Sequence, residues 1–184
     1  MEARKRVIAI SGLPGAGKGV ASEAAKRLGF EVLVLGDVIR EETERRGLEP
    51  TPQNIGNVML QVRRDEGPAA VVKRLVPKIE ASRSQTLVVE GVRSEDELRE
   101  LKSRFEVFTV AIHASPKTRF RRLLERGRSD DPKTWNTFYE RDSRELDVGV
   151  CRVIALADVL LVNEGTIEEL HASFNTAMNK LNRK

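Results

Sequence analysis

One cysteine in 184 residues, Cys151, leaves no partner for an intrachain disulfide and no thiolate set for a metal cluster. The two histidines, His113 and His171, lie far apart without metal-ligand spacing. Long apolar runs are missing as well: no segment approaches the ~20 consecutive apolar residues that cross a bilayer. The start Met1-Glu2-Ala3-Arg4-Lys5-Arg6 is basic, but the apolar run behind it is too short for a signal-peptide core. Internal repeats, low-complexity tracts and flexible linkers are absent. These absences exclude a disulfide scaffold, a cysteine-based metal protein and a membrane span, and they predict a cytoplasmic chain.

What is present suits one folded α/β domain: 40% hydrophobic and 33% charged residues over 184 positions. The net charge of +4 and pI near 9.4 would suit polyanions. Much of that charge resides in arginines able to serve the phosphates of a small ligand, which makes nucleic acid the secondary partner class. Five runs, Arg6–Ser11, Glu31–Gly36, Thr86–Glu90, Val107–His113 and Val159–Val162, are nearly continuous in apolar residues, as parallel strands buried on both faces require. Helically spaced, charged segments such as Ser22–Leu28, Glu95–Lys102 and Thr118–Glu125 lie between them. The alternation predicts a doubly wound parallel sheet with its ligand at the carboxyl ends of the strands.

Two stretches exceed a simple crossover. Residues 38–85 are largely helical, carry Pro50, Pro52, Pro68 and Pro77, and predict an inserted helical subdomain. Residues 127–149 are rich in charge, begin with little apolar periodicity, and predict a mobile lid. The core is then 1–37, 86–126 and 150–184, all within a single domain.

Gly12-Leu13-Pro14-Gly15-Ala16-Gly17-Lys18 stands between the apolar run Val7–Ile10 and an alanine-rich helical stretch. Strand, glycine loop and helix start in that order form a P-loop. Backbone N–H groups converge on a polyphosphate, Lys18 reaches its β- and γ-phosphates, and the helix N-terminus adds a favourable dipole. A cation at a helix start opposes that dipole unless an anion is bound, which favours the phosphate role for Lys18. The loop continues through Gly19 and Val20, where a Ser or Thr hydroxyl would usually meet Mg2+. Ser22 lies a turn further on and reads as too remote. Mg2+ is thereby left to the nucleotide, water and carboxylates, with Glu90 at a strand end first and Asp37 second. Asp37 fits equally well as the N-cap of a helix beginning at Val38.

The loop G-L-P-G-A-G-K-G resembles that of nucleoside monophosphate kinases, adenylate kinase in particular. Gly36-Asp37-Val38-Ile39-Arg40 looks like their G-D-x-x-R element, in which arginine holds the acceptor phosphate. Glu90-Gly91-Val92-Arg93 resembles D-G-x-x-R with Glu in place of Asp, and Arg122-Leu123-Leu124-Glu125-Arg126 resembles the arginine pair leading to the lid. The C-terminal third leans toward cytidylate kinase and dephospho-coenzyme A kinase: Arg141-Asp142-Ser143-Arg144-Glu145 looks like a lid arginine pair, and residues 157–166 look like the last strand and its base-contacting loop. The whole pattern is most similar to an archaeal family of unassigned function related to these kinases. The resemblance implies a P-loop NTPase with five parallel strands in the order 2-3-1-4-5, flanking helices, a helical acceptor insert and a short lid.

The resemblance further implies ATP on Gly12–Val20, with adenine near Arg122, Asn163 and Gly165, and an acceptor phosphate on Arg40 and Arg93. Arg126 and Arg141 would join Lys18 in neutralising transferred charge, and Asp37 would serve a hydroxyl acceptor as base. Ser94-Glu95-Asp96-Glu97 also carries a capping-box pattern, which favours Glu97 as a helix cap over a base-reading group. The expected activity is ATP-dependent phosphoryl transfer to a small phosphorylated acceptor, a nucleoside monophosphate or similar nucleotide. A nucleotide-gated switch or ATPase acting with RNA or a protein partner is the alternative.

Overall fold

A strand that is apolar throughout must be buried on both sides, and β1 (Arg6–Ser11) shows how. Val7 and Ala9 face one layer of helices, while Ile8 and Ile10 face the other. In the computed structural model, which describes residues 4–181, β3 (Thr86–Val92) and β4 (Glu106–His113) flank β1 in parallel. Beyond them lie β2 (Glu31–Val34) and β5 (Val159–Val162), giving the expected order β2-β3-β1-β4-β5. Met1, Glu2 and Ala3 of the basic start, and 182–184 of the expected core, lie outside the described residues.

One face of the sheet is covered by α1 (Lys18–Arg27) and α9 (Ile167–Leu181), whose Ala21, Ala25, Leu170 and Phe174 pack against Ile8, Ile10, Val110 and Ile112. The other face receives α2 (Leu35–Arg45), α3 (Pro52–Glu66), α4 (Ala70–Ala81), α5 (Glu95–Arg104) and α8 (Val150–Ala155). Leu35, Ile39, Val62, Leu75 and Ile79 from the long helical segment share one cluster with Val7, Leu87 and Val89, so this segment is anchored directly on the sheet. Helices α8 and α9 add to the helical segments that the sequence pattern predicts.

Three boundaries differ from expectation, each for a local reason. β2 stops at Val34 because Leu35 is drawn fully into the core as the first residue of α2. Gly36 and Asp37 therefore sit in the first helical turn, and Val34, not Asp37, is the N-cap. β3 runs on to Val92 through a bulge: Glu90 pairs with Ile10 and Val92 with Ser11, leaving Gly91 as the extra residue at φ +96°. The expected lid is helical over α7 (Trp135–Val148), started by reciprocal bonds between Thr134 and Thr137 and pinned by buried Phe138 against Trp135 and Phe120. Phe120 belongs to α6 (Pro116–Arg126), which connects β4 to this region.

Candidate functional site

Where β1 ends, the chain turns through Gly12, Gly15 and Gly17, all at positive φ. Close packing adds to the backbone requirement. A Cβ on Gly15 would meet the Arg119 carbonyl oxygen at 2.6 Å, and one on Gly17 would collide with the Asn163 amide. Lys18 opens α1, and its Nζ donates to the carbonyls of Gly12 (2.6 Å) and Leu13 (3.1 Å). Burial lowers the Lys18 pKa to about 8, against the opposing pull of Glu90.

The loop forms one wall of a cleft of about 850 Å³. Of the residues singled out above, Pro14, Gly15, Gly17, Lys18, Gly19 and Val20 line it. Asp37 and Arg40 join them from α2, Glu90 and Arg93 from the end of β3, and Arg122, Arg126, Arg141, Asn163 and Gly165 complete the lining. Gly12, Leu13 and Ala16 shape the loop without lining the cleft.

Ser22, expected to be too remote to meet Mg2+ itself, turns its hydroxyl to a carboxylate instead. One turn after Lys18 on α1, buried Ser22 donates from Oγ to Glu90 Oε2 at 2.6 Å. The hydroxyl thus holds the carboxylate at the end of β3 in the same cleft as Lys18. Asn163 has a role beyond its expected neighbourhood to adenine: its Nδ2 donates to the Ala16 carbonyl at 2.8 Å and ties the loop after β5 to the back of the P-loop. Arg122 donates to the carbonyls of Asn163 (3.0 Å) and Gly165 (3.2 Å), which fixes the same turn from outside.

Each of the four arginines expected to meet transferred or acceptor phosphate already has a carboxylate partner. Arg40 donates to Asp37 at 2.6 Å and to Asp130 at 3.3 Å. Arg93 pairs with buried Glu145 of α7. Burial penalises the Glu145 carboxylate, yet Arg93, Lys18 and Arg141 around it hold its pKa below the ordinary value. Arg126 donates from Nε to Asp131 at 2.8 Å, while Arg141 donates to the Asp130 carbonyl at 2.8 Å and lies within ion-pair range of both aspartates. Asp130 and Asp131 are both buried, which the charge-rich sequence around them gave no means to anticipate.

Beside Arg40, Arg93 and Arg141 a second cavity of about 50 Å³ opens between α2, α3 and α7, over a floor of Ile39, Ile55 and Met59. Arg144 lies across Gly56 there, where a Cβ would come within 3.1 Å of its Nε. Glu97 is outside both spaces. It is fully buried, accepts from the Arg93 backbone N–H (2.7 Å) and from Arg63 (2.6 Å), and its own N–H donates to N-cap Ser94, as the capping pattern predicts.

A family model described as an AAA domain matches residues 11–138. The chain is 42% identical over 179 residues to a UPF0200 protein of Hyperthermus butylicus, with 97% of this chain and 96% of that one covered. It is 45% identical over 172 residues to UPF0200 protein PF1294 of Pyrococcus furiosus, covering 91% and 92%. Among solved structures, shikimate kinase from Acinetobacter baumannii in complex with shikimate superposes with a TM-score of 0.60 at 18% identity, over 100% of this chain and 97% of that chain. A gluconokinase from Sinorhizobium meliloti gives 0.58 at 16% identity, over 98% and 95%. At such identities the likeness is one of fold.

Proposed function

The chain belongs to the archaeal UPF0200 family, whose fold is that of P-loop kinases, and from that premise we propose that it transfers a phosphoryl group from ATP to a small phosphorylated acceptor, a nucleoside monophosphate or similar nucleotide. One observation carries the proposal. The polyphosphate loop and the two arginines that follow β2 and β3, Arg40 and Arg93, line one continuous cleft. A nucleotide switch has no need of a second phosphate-binding set facing its first.

In the proposed arrangement the triphosphate takes the P-loop N–H groups, and Lys18 exchanges its carbonyl partners for phosphate oxygens. Arg40 and Arg93 hold the acceptor phosphate. An acceptor phosphate oxygen bonds to the γ-phosphorus as the bond to the β–γ bridging oxygen breaks, and ADP leaves with the electron pair. The acceptor oxygen is already ionised, so no strong base is required, and alignment with charge neutralisation by Lys18, Arg126 and Arg141 carries the rate. A hydroxyl acceptor would need a base, and Asp37 on the cleft wall is the carboxylate for that task.

Among the described residues no group of three or more His, Cys, Asp or Glu side chains is placed to hold a metal by itself. The donor set still fits Mg2+, which is commonly held by one or two carboxylates plus substrate phosphates and water. Glu90, oriented by Ser22, would face it, and Mg2+ would supply neutralisation of the developing phosphate charge.

Incubation with Mg-ATP and a panel of monophosphates, dephospho-coenzyme A and shikimate, following ADP and phosphorylated product, tests the proposal. Acceptor-dependent ADP formation, abolished by Lys18→Ala, is expected. ADP formation indifferent to every acceptor would favour an ATPase or switch, and transfer that survives Lys18→Ala would refute the site.

A further inference from the structure

Arg119 is one of seven arginines between 119 and 144, and it is 2% exposed, whereas Arg121 and Arg126 on the same helix are exposed. Each nitrogen of its fork has a partner outside α6. Nε donates to the Ala114 carbonyl at 3.1 Å, Nη1 to the Pro14 carbonyl of the P-loop at 3.1 Å and to Asp142 Oδ1 at 2.8 Å, and Nη2 to Asp142 Oδ2. Its guanidinium carbon lies 4.9 Å from the centroid of the Phe138 ring, and Gly15 packs against its backbone.

A buried ion pair is a poor way to gain stability, since an apolar pair of similar volume often serves as well or better. What the pair does supply is geometry. Asp142 belongs to α7, the helix that also carries Arg141, Arg144 and Glu145 to the small cavity. A planar fork can bind a carboxylate with two donors while a third direction remains for a carbonyl; a lysine ammonium cannot reproduce that set.

We propose that Arg119 is a positioning residue that sets the P-loop through the Pro14 carbonyl and couples it to α7, so that phosphate binding at Gly12–Lys18 and placement of the acceptor-facing side chains of α7 are linked. The link rests on nucleotide binding by the loop, as proposed above. An anion that pulls the loop into its bound shape shifts Pro14, and through Arg119 and Asp142 it shifts the helix that holds Glu145 against Arg93.

Two measurements on the full chain test this: ATP affinity by calorimetry, and amide hydrogen exchange across 135–148 with and without ATP. In the native protein ATP slows exchange in α7. Arg119→Lys keeps a charge opposite Asp142 but loses the fork, so ATP affinity falls about tenfold, the size of one charge-assisted hydrogen bond, and the ATP-induced slowing across α7 shrinks to what direct contact of Arg141 with phosphate supplies. The double variant Arg119→Met/Asp142→Leu, which leaves no unpaired buried charge, covers the case in which the lysine variant does not fold; the same two losses are expected. A merely structural role would lower the melting temperature and leave the α7 response intact. Unchanged affinity with an intact response in a folded variant, or native α7 indifferent to bound ATP, overturns the coupling. Failure of the native protein to bind ATP overturns the nucleotide reading itself and takes the coupling with it.

Discussion

Raising the pH should weaken ATP binding through a single side chain. Free Lys18 has a pKa of about 8 because burial disfavours its charge. It is ~90% protonated at pH 7, ~50% at pH 8 and ~10% at pH 9. A bound triphosphate favours the ammonium and returns the pKa upward, so binding above neutrality takes up a proton. Linkage then sets the slope: the Kd for ATP should rise about tenfold per pH unit above 8, or ~1.4 kcal/mol, and level off below about pH 7. Calorimetry in two buffers of different ionisation enthalpy should register uptake of about half a proton at pH 8. Lys18→Met should bind more weakly with a flat profile. The same shift acts on folding with the sign of a depressed lysine. Its charge costs stability below pH 8, and the cost, up to about 3 kcal/mol, is relieved as the pH climbs from 8 to the unfolded value of 10.5. A native Kd constant from pH 7 to 9.5, or a slope that persists in Lys18→Met, would refute this account of the loop.

Two further outcomes test other parts of the molecule. The Glu42 carboxylate is held at a pKa of about 2, chiefly by a hydrogen bond from Arg45 and then by Arg46 and Arg74. Its stabilisation is complete above the unfolded value of 4.5 and lost as the pH falls toward 2. Glu42→Gln should therefore cost about 2 kcal/mol in urea unfolding at pH 7, after allowance for screening, and converge with the native protein near pH 2; a pH-independent difference would count against the network. Asn163→Asp replaces the donor to the Ala16 carbonyl with an acceptor, which should cut ATP affinity about tenfold while leaving the circular dichroism unchanged. Undiminished affinity would free the P-loop from this tie.

The sheet and the phosphate loop could be read from the chain because their signals are local. An apolar strand run, a glycine spacing and a capping pattern at Ser94–Glu97 each fit within a few residues. β2 ends two residues before the Gly36 that the pattern suggests: Gly36 and Asp37 look like loop residues, while burial of Leu35 starts the helix earlier. The contacts of Ser22 and Arg119 are not legible in the sequence for a different reason. Their partners, Glu90 and Asp142, are 68 and 23 residues away, and no pattern in sequence brings them together. The arginine-rich lid showed the limit most clearly. Which charges face solvent and which are buried against Asp130, Asp131 or Glu145 is decided only by tertiary packing.

The carboxylates that already clasp Arg40, Arg93, Arg126 and Arg141 bear on turnover. In the proposed transfer an arriving phosphate would meet arginines already oriented by a carboxylate, and it would have to evict an aspartate or glutamate to reach them. Its net gain is the difference between two anions rather than the whole strength of one contact. On departure the evicted carboxylate is at hand to close the gap, so no bare guanidinium is left behind. If the proposed transfer holds, a site built on such exchange would trade tight grip for rapid handover of its product.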